Sequence, residues 1–416
     1  VVSDRSSLRP CLPQAHEALS NYLAMKRILY IDPHFALRSP SLKSTLREFP
    51  ASFADFDEVE VWAIESDFDD PKIRIDWIWC PFKSWHLVSL WYWVAVHLRF
   101  IWRFFILRQP RPQIVQATNY YCYWADLIYF HFSFLAYARV IKSHRSVFRL
   151  SFARRLVFLM HYSQEWILFK LAPPKWWWVV SRTLLEESRQ ETSLVSKFRV
   201  LPNSYDGERF SHSVRAQHRS EMRNKLGFSD GEVVFIFVSL GDLERKGFNL
   251  AVKAVDGLVA MGKPARLLFV GGPTEEPMDL QPFLEAHGIR NDAFIHRVGR
   301  VKDIERYMAA ADALLFPSYC EAFALVEIES AAMGLRLYVT PHYGSEMILR
   351  PPGNGRFLPW DVEGITRVLA EDIDSGALFH SSGDMGEALD RAGFLHELRQ
   401  RYQEILRTKA EAGSGS

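Results

Sequence analysis

The chain holds little cysteine, and what it holds forms no pattern. Cys11, Cys80, Cys122 and Cys320 are spread over 416 residues without a C-x-x-C spacing or a closely spaced pair. That argues against a zinc ribbon or a disulfide framework and points to a reducing compartment. A secretory pattern is missing as well: residues 1–24 carry Arg5, Arg9, Pro10 and Pro13 and no continuous apolar run. They are expected to form an N-terminal extension ahead of Met25. No internal repeat of solenoid period is present. Trp85–Leu107 has about the length of a membrane span, but Arg99 and Arg103 fall inside it, and central arginines are costly in hydrocarbon. Acid is nearly absent from one long stretch. Between Trp77 and Gln164 eleven Lys/Arg face the single acid Asp126, so +10 sits there and −9 on the rest of a chain whose total is +1.

What is present is globular. Apolar residues make up 48% and charged residues 24%, which excludes wholesale disorder, and the length allows two or three domains. Short apolar runs alternate with helical stretches, the pattern of parallel α/β sheets. Strands are expected at Arg27–Asp32, Glu58–Ile64, Ile73–Trp79, Gln113–Ala117, Leu127–His131 and Trp178–Ser181. A second series is expected at Val233–Val238, Ala265–Val270, Ala293–Val298, Ala313–Phe316 and Arg336–Val339. Helical periods lie between the second series at Asn249–Met261, Met278–Ala286, Lys302–Ala311, Leu325–Met333 and Val362–Leu369. The turn-rich Leu201–Asp206 separates the two series. The expectation is two Rossmann-like doubly wound domains facing across a cleft, over residues 25–207 and 208–390, with a C-terminal helix near 391–410 packing back on the first. Ligands of such sheets sit at the carboxyl ends of strands.

Helical spacing within Trp85–Leu107 places Leu87, Leu90, Trp91, Val94, Leu98, Ile101, Trp102 and Phe105 on one buried face. The other arc carries Trp93, Arg99, Phe100, Arg103 and Phe104. Rings interleaved with arginine suit the headgroup layer of an anionic membrane, so this arc is the expected membrane contact. Nucleic acid is not expected as a partner, because the aromatic residues follow a buried helical face rather than an exposed stacking platform.

Chemistry concentrates in Pro317–Glu329. A buried strand, Ala313–Phe316, enters a short loop holding Glu321 and then a helix with Glu329 two turns down. Free amides at the helix start attract phosphate or a sugar hydroxyl, and a carboxylate can accept both hydroxyls of a ribose. Arg245-Lys246-Gly247 follows strand Val233–Val238, where two adjacent cations suit a diphosphate.

Together these residues resemble the retaining, nucleotide-sugar-dependent glycosyltransferases of family 4, which have the GT-B fold. The family's E-x7-E motif is Glu321 to Glu329, and its basic pair is Arg245-Lys246. Val200-Leu201-Pro202-Asn203, Gly344-Ser345-Glu346 and Asn354-Gly355-Arg356-Phe357-Leu358-Pro359 with Asp361 fit as well. The Arg-Lys-Gly loop and the Ala after the first glutamate resemble those of lipopolysaccharide inner-core glucosyltransferases. The resemblance implies that Glu329 binds the ribose hydroxyls and that Glu321 lies at the donor sugar. It implies that the amides of Phe323, Ala324 and Leu325 meet the sugar and distal phosphate, with the base near Arg297, Val298 and Gly299. Arg245 and Lys246 would neutralise the departing diphosphate in place of a metal, without further cofactor, and His131 would lie beside the transferred sugar.

Two departures stand out. The glycine-rich loop usual after the first strand is replaced by Asp32–Ser41, in which His34, Arg38, Ser39 and Ser41 are the expected acceptor or phosphate contacts. The usual Gly-Phe-Gly after the first glutamate is Ala322-Phe323-Ala324. The implied function is a hexosyltransferase, cytoplasmic and peripheral on the inner face of the plasma membrane. It would move sugar from a nucleotide diphosphate sugar, UDP-sugar favoured, to a lipid-linked or cell-envelope glycan. The alternatives are a nucleotide-sugar 2-epimerase of the same fold and a membrane-bound scaffold without turnover.

Overall fold

The protein is described from a computed structural model, over residues 25–36, 49–144, 152–192 and 196–414. Two compact units make up the chain, Val1–Ile128 with Leu395–Ser416, and Tyr129–Phe394. Within the second unit, residues near 182–203 bond to residues near 323–387. Thr183 N donates to Glu346 Oε1 at 3.1 Å, the Tyr343 hydroxyl to Glu187 at 2.8 Å, and Arg182 pairs with Glu387 at 2.6 Å.

In the first unit β1 (Arg27–Ile31) lies between β2 (Glu58–Ala63) and β4 (Ile114–Thr118), with β3 (Ile73–Trp77) outside β2. All three pairings are parallel. β1 and β4 are buried at every position, as expected of parallel strands covered on both faces. The C-terminal helix, Arg391–Ser414, packs on this unit. Its buried Tyr402 donates to Gln116 Oε1 at 2.6 Å and packs its ring edge-on against Phe56.

The boundary between the units falls within β5 (Leu127–Phe130), and the second unit holds β6 (Trp176–Val179) and β7 (Lys197–Val200), which pair parallel. Trp177 is sandwiched between Phe169 and Phe198, with ring planes 8° and 6° from parallel. The unit also holds a six-stranded parallel sheet in the order β10-β9-β8-β11-β12-β13. These strands are β8 (Val233–Ser239), β9 (Ala265–Gly271), β10 (Ile295–Val298), β11 (Ala313–Phe316), β12 (Arg336–Val339) and β13 (Gly355–Phe357). The chain runs outward from β8 through β9 to β10 and then returns to the other side of β8 as β11. The ends of β8 and β11 therefore flank the point where strand order reverses, the position of ligand crevices in such sheets.

Helix α1 (Trp85–Phe100) continues as a π-helical turn, Ile101–Ile106. Its orientation corrects the sequence reading. Phe100 and Phe104 are 0% and 8% exposed, whereas Leu98, Trp102 and Phe105 are 63%, 57% and 52% exposed. The arc assigned to the membrane faces the protein, and much of the arc assigned to the core faces outward. The cause is charge. Glu60 is buried on β2, and an unpaired buried carboxylate is costly. Arg103 pairs with Glu60, and Arg99 pairs with Asp76 while lying 5.0 Å above the Trp62 ring. The two arginines turn inward and take Phe100 and Phe104 with them. Trp93, half-buried, packs its ring against His97 and Tyr123. Among the described residues no helix is long and apolar enough to cross a membrane.

Candidate functional site

The loops after β8 and β11 are locked together by backbone. Gly247, at φ +71°, opens helix α3 (Phe248–Ala260), and a Cβ there would stand 1.9 Å from the Pro317 carbonyl oxygen. Only glycine allows this approach. Tyr319 N donates to Arg245 O at 2.8 Å, and the Thr340 hydroxyl donates to Ser318 O at 2.6 Å. Asp242, a non-glycine residue at φ +56°, lies in the first loop, and its carboxylate accepts from Arg245 Nε at 2.5 Å.

Three charges meet as a result. Arg245 Nη1 lies 2.9 Å and Lys246 Nζ 3.3 Å from Glu321 Oε1, and the Ser318 hydroxyl donates to the same oxygen at 3.1 Å. Burial pushes the Glu321 carboxyl up, but Arg245, Lys246 and His342 outweigh it and hold it at about 2. Burial works against the charged Arg245 too, yet Glu321 and Asp242 raise it well above its usual range. The cluster is a carboxylate between Arg245 and Lys246 at the switch point. A diphosphate entering here meets both cations already in place.

Helix α4 (Leu325–Ala332) starts beside the cluster with no side-chain cap on its first amides. Those of Phe323, Ala324 and Leu325 are the ones named from sequence. Glu329 lies two turns on, and none of the described hydrogen bonds or ion pairs reaches its carboxylate. Burial raises it to about 8, with Arg209 opposing and Glu305 and Asp206 adding to the rise. Arg297, Val298 and Gly299 close β10. A Cβ on Gly299 would stand 1.9 Å from the Glu275 carbonyl oxygen, so this end is backbone packed on backbone.

His131 follows β5 with its ring centre 4.0 Å from that of Tyr129, and burial lowers it to about 3, so its imidazole is neutral. His34, in the first unit, lies 3.4 Å from Glu65 and takes its backbone amide to Asp32 at 2.8 Å. Arg38, Ser39 and Ser41 lie outside the described residues.

Sequence reasoning passed over two features. Glu327, assigned no role from sequence, has its side chain fully buried 2.6 Å from the equally buried side chain of His342. Burial lowers His342, but Glu327 and Glu321 outweigh it and raise it above its ordinary value. Nothing in the local sequence joins residues 327 and 342; only the return of the chain through β12 does. Gly271-Gly272, after β9, is the second. A Cβ at Gly271 would meet the Ser239 carbonyl at 2.0 Å, and the Gly-Gly-Pro run was the available signal.

Comparison with known proteins bears on this geometry. Residues 232–373 match the family described as Glycosyl transferases group 1. The lipopolysaccharide glucosyltransferase WaaG of Escherichia coli (strain K12) is 27% identical over 213 residues, 50% of this chain and 56% of that protein. The D-inositol 3-phosphate glycosyltransferase of Nocardia farcinica is 29% identical over 181 residues, 41% of this chain and 39% of that protein. The matches thus span 56% and 39% of the lengths of these two relatives. Among solved structures, WaaG, a glycosyltransferase involved in lipopolysaccharide biosynthesis, superposes with a TM-score of 0.67 at 18% identity, covering 91% of this chain and 99% of that one. Anabaena Alr3699/HepE in complex with UDP-glucose gives 0.59 at 15% identity, covering 92% and 99%. The fold is GT-B, and residues 232–373 carry a glycosyl transferases group 1 domain.

Proposed function

Starting from that group 1 domain, we propose that the protein transfers a sugar from a nucleotide diphosphate sugar, UDP-sugar favoured, to a hydroxyl of a lipid-linked or cell-envelope glycan, with retained configuration and no metal. The observation that carries this reading is the Arg245–Lys246–Glu321 cluster at the switch point. As the bond from the anomeric carbon to the diphosphate oxygen lengthens, negative charge grows on the leaving phosphate. Arg245 and Lys246 are already oriented toward that position, so little reorganisation is needed during reaction. The acceptor hydroxyl attacks from the face the diphosphate leaves and gives its proton to the departing phosphate oxygen. Glu321 is ionised and held by both cations, which suits orientation of sugar hydroxyls rather than covalent attack. Neutral His131 serves as an uncharged hydrogen-bonding partner of the sugar. Glu329 holds the ribose, and the backbone around Gly299 flanks the base.

The protein docks peripherally on the cytoplasmic face of the plasma membrane through the outward side of α1 and its π turn. Leu98, Trp102, Phe105, Ile106 and Leu107 are exposed there, and the exposed Arg108 adjoins them. Apolar side chains bordered by cations fit an anionic interface.

A thermal-shift series with UDP-, GDP-, ADP- and dTDP-sugars tests the donor. A ligand that binds only the native state raises stability in proportion to the logarithm of its concentration over Kd. UDP-sugars are expected to raise Tm, and Lys246→Ala to remove most of the rise. No shift with any nucleotide sugar contradicts the reading.

A further inference from the structure

A cavity of about 370 Å³ opens beside the charge cluster, within the second unit. Its walls come from the loops after β11, β12 and β13 and from the end of helix α2 (Phe134–Ser143). In the sheet order, β12 and β13 lie on the far side of β11 from β9 and β10. The cavity is therefore on the side of the diphosphate cluster away from the strands assigned to the nucleoside. An acceptor has to reach the anomeric carbon from a side the nucleoside leaves open.

The lining selects a ligand class. Tyr319 and Trp360 stack with ring centres 5.1 Å apart and planes 14° from parallel, and the His144 ring is 5.0 Å from each. Trp360 is half-buried and Phe357 is exposed at the rim, so apolar ring surface stays open to a ligand. The polar groups do not suit an anion. Arg139 is engaged by Glu187 and Glu191, His342 in the wall is held 2.6 Å from Glu327, and burial lowers His144, which disfavours its charged form. Glu346 brings a carboxylate whose Oε1 accepts from Thr183 N at 3.1 Å, with no described partner on Oε2. A phosphate entering here meets the Glu346 carboxylate, while Arg139 and His342 are already paired with glutamates. A purely apolar chain would strand those same charges. A neutral pyranose satisfies both parts: its C–H face packs on the aromatic rings, and its hydroxyls donate to a carboxylate and exchange hydrogen bonds with hydroxyl side chains.

We infer that this cavity is an acceptor subsite that binds an uncharged sugar ring on Trp360, with Glu346 accepting its hydroxyls; the inference rests on the transferase reading above. It names the acceptor's chemistry next to the reaction centre as a neutral saccharide rather than a phosphorylated or lipid group.

Saturation-transfer NMR on the full chain tests it, with methyl β-D-glucopyranoside, methyl α-D-mannopyranoside and glucose 1-phosphate as probes. At least one neutral glycoside is expected to receive saturation on its ring protons, and glucose 1-phosphate to bind at least threefold more weakly. Trp360→Leu should cut the glycoside signal at least fivefold. The isosteric Glu346→Gln should weaken binding at least threefold, and it keeps the test decisive if Trp360→Leu fails to fold. An undiminished signal in both variants, stronger binding of glucose 1-phosphate, or no glycoside signal in the wild type overturns the subsite. Stabilisation of the same wild-type sample by the UDP-, GDP-, ADP- and dTDP-sugar series is measured in parallel. If any of them stabilises while the glycoside fails, only the subsite falls; if none does, the transferase reading falls with it.

Discussion

At the scale of single residues, the proposed transfer rests on charges held in place before a substrate arrives. Lys246 Nζ is fixed between Glu321, at 3.3 Å, and the face of Phe316, 5.0 Å from the ring centre. Lys246→Ala should slow donor turnover by about 10²–10³, or roughly 2.7–4 kcal/mol of barrier, the range for losing one preorganised contact. Steady-state kinetics reads this directly, and turnover within threefold of wild type would remove Lys246 from the site. Glu329 gives a pH signature. Its native value of about 8 lies above its unfolded range, so the native state holds the proton more tightly. Its contribution to stability is complete in acid and lost as pH rises through about 8. A ribose diol needs two acceptors, which only the ionised carboxylate provides. UDP affinity should therefore rise as pH passes about 8, with proton release that depends on buffer ionisation heat in calorimetry, and Glu329→Gln should flatten both. Equal affinity for UDP and 2′-deoxy-UDP would contradict the ribose role. Both glutamates were legible from their spacing around a strand-to-helix loop. Glu327 was not, because a glutamate two residues before Glu329 reads the same whether it meets water or a histidine fifteen residues away.

At the scale of elements, the strands were readable and the orientation of one helix was not. The apolar runs of β8, β9 and β11 end within one residue of their expected bounds, because a strand buried on both faces needs no choice of face. Helix α1 is apolar nearly all round, so periodicity alone could not say which side is inward. Glu60 decided it from β2, through a pairing that local sequence cannot display. β7, Lys197–Val200, was missed because charged residues alternate with its apolar ones. The helix makes opposite demands of its two sides. Phe100→Ala should destabilise the fold by about 3–5 kcal/mol, the cost of truncating a buried phenylalanine, read by urea unfolding. Trp102→Ser with Phe105→Ser should leave stability within about 0.5 kcal/mol, as exposed substitutions do. The pair should instead weaken binding to anionic vesicles. If Trp102 and Phe105 prove dispensable for vesicle binding, the docking face is misplaced.

At the scale of the molecule, charge and chemistry occupy different stretches of chain. The +10 of Trp77–Gln164 precedes the donor motifs, and the remaining −9 includes the loops that hold them. Binding to anionic vesicles should weaken as salt rises, since screening shortens to about 8 Å at physiological strength. A salt-resistant remainder is expected from burial of Trp102 and Phe105. Arg99 and Arg103 are engaged with Asp76 and Glu60, so their replacement by Gln should cost folding stability before it costs membrane affinity. The catalytic reading stands apart from all of this. Its most direct test is real-time proton NMR of UDP-glucose with the wild-type protein and with Lys246→Ala. Wild type is expected to release UDP, with α-glucose as the first anomer formed, and the variant to fall behind by at least a hundredfold. First release of β-glucose would contradict retention, and equal rates in the two proteins would contradict the diphosphate cluster as the catalytic centre.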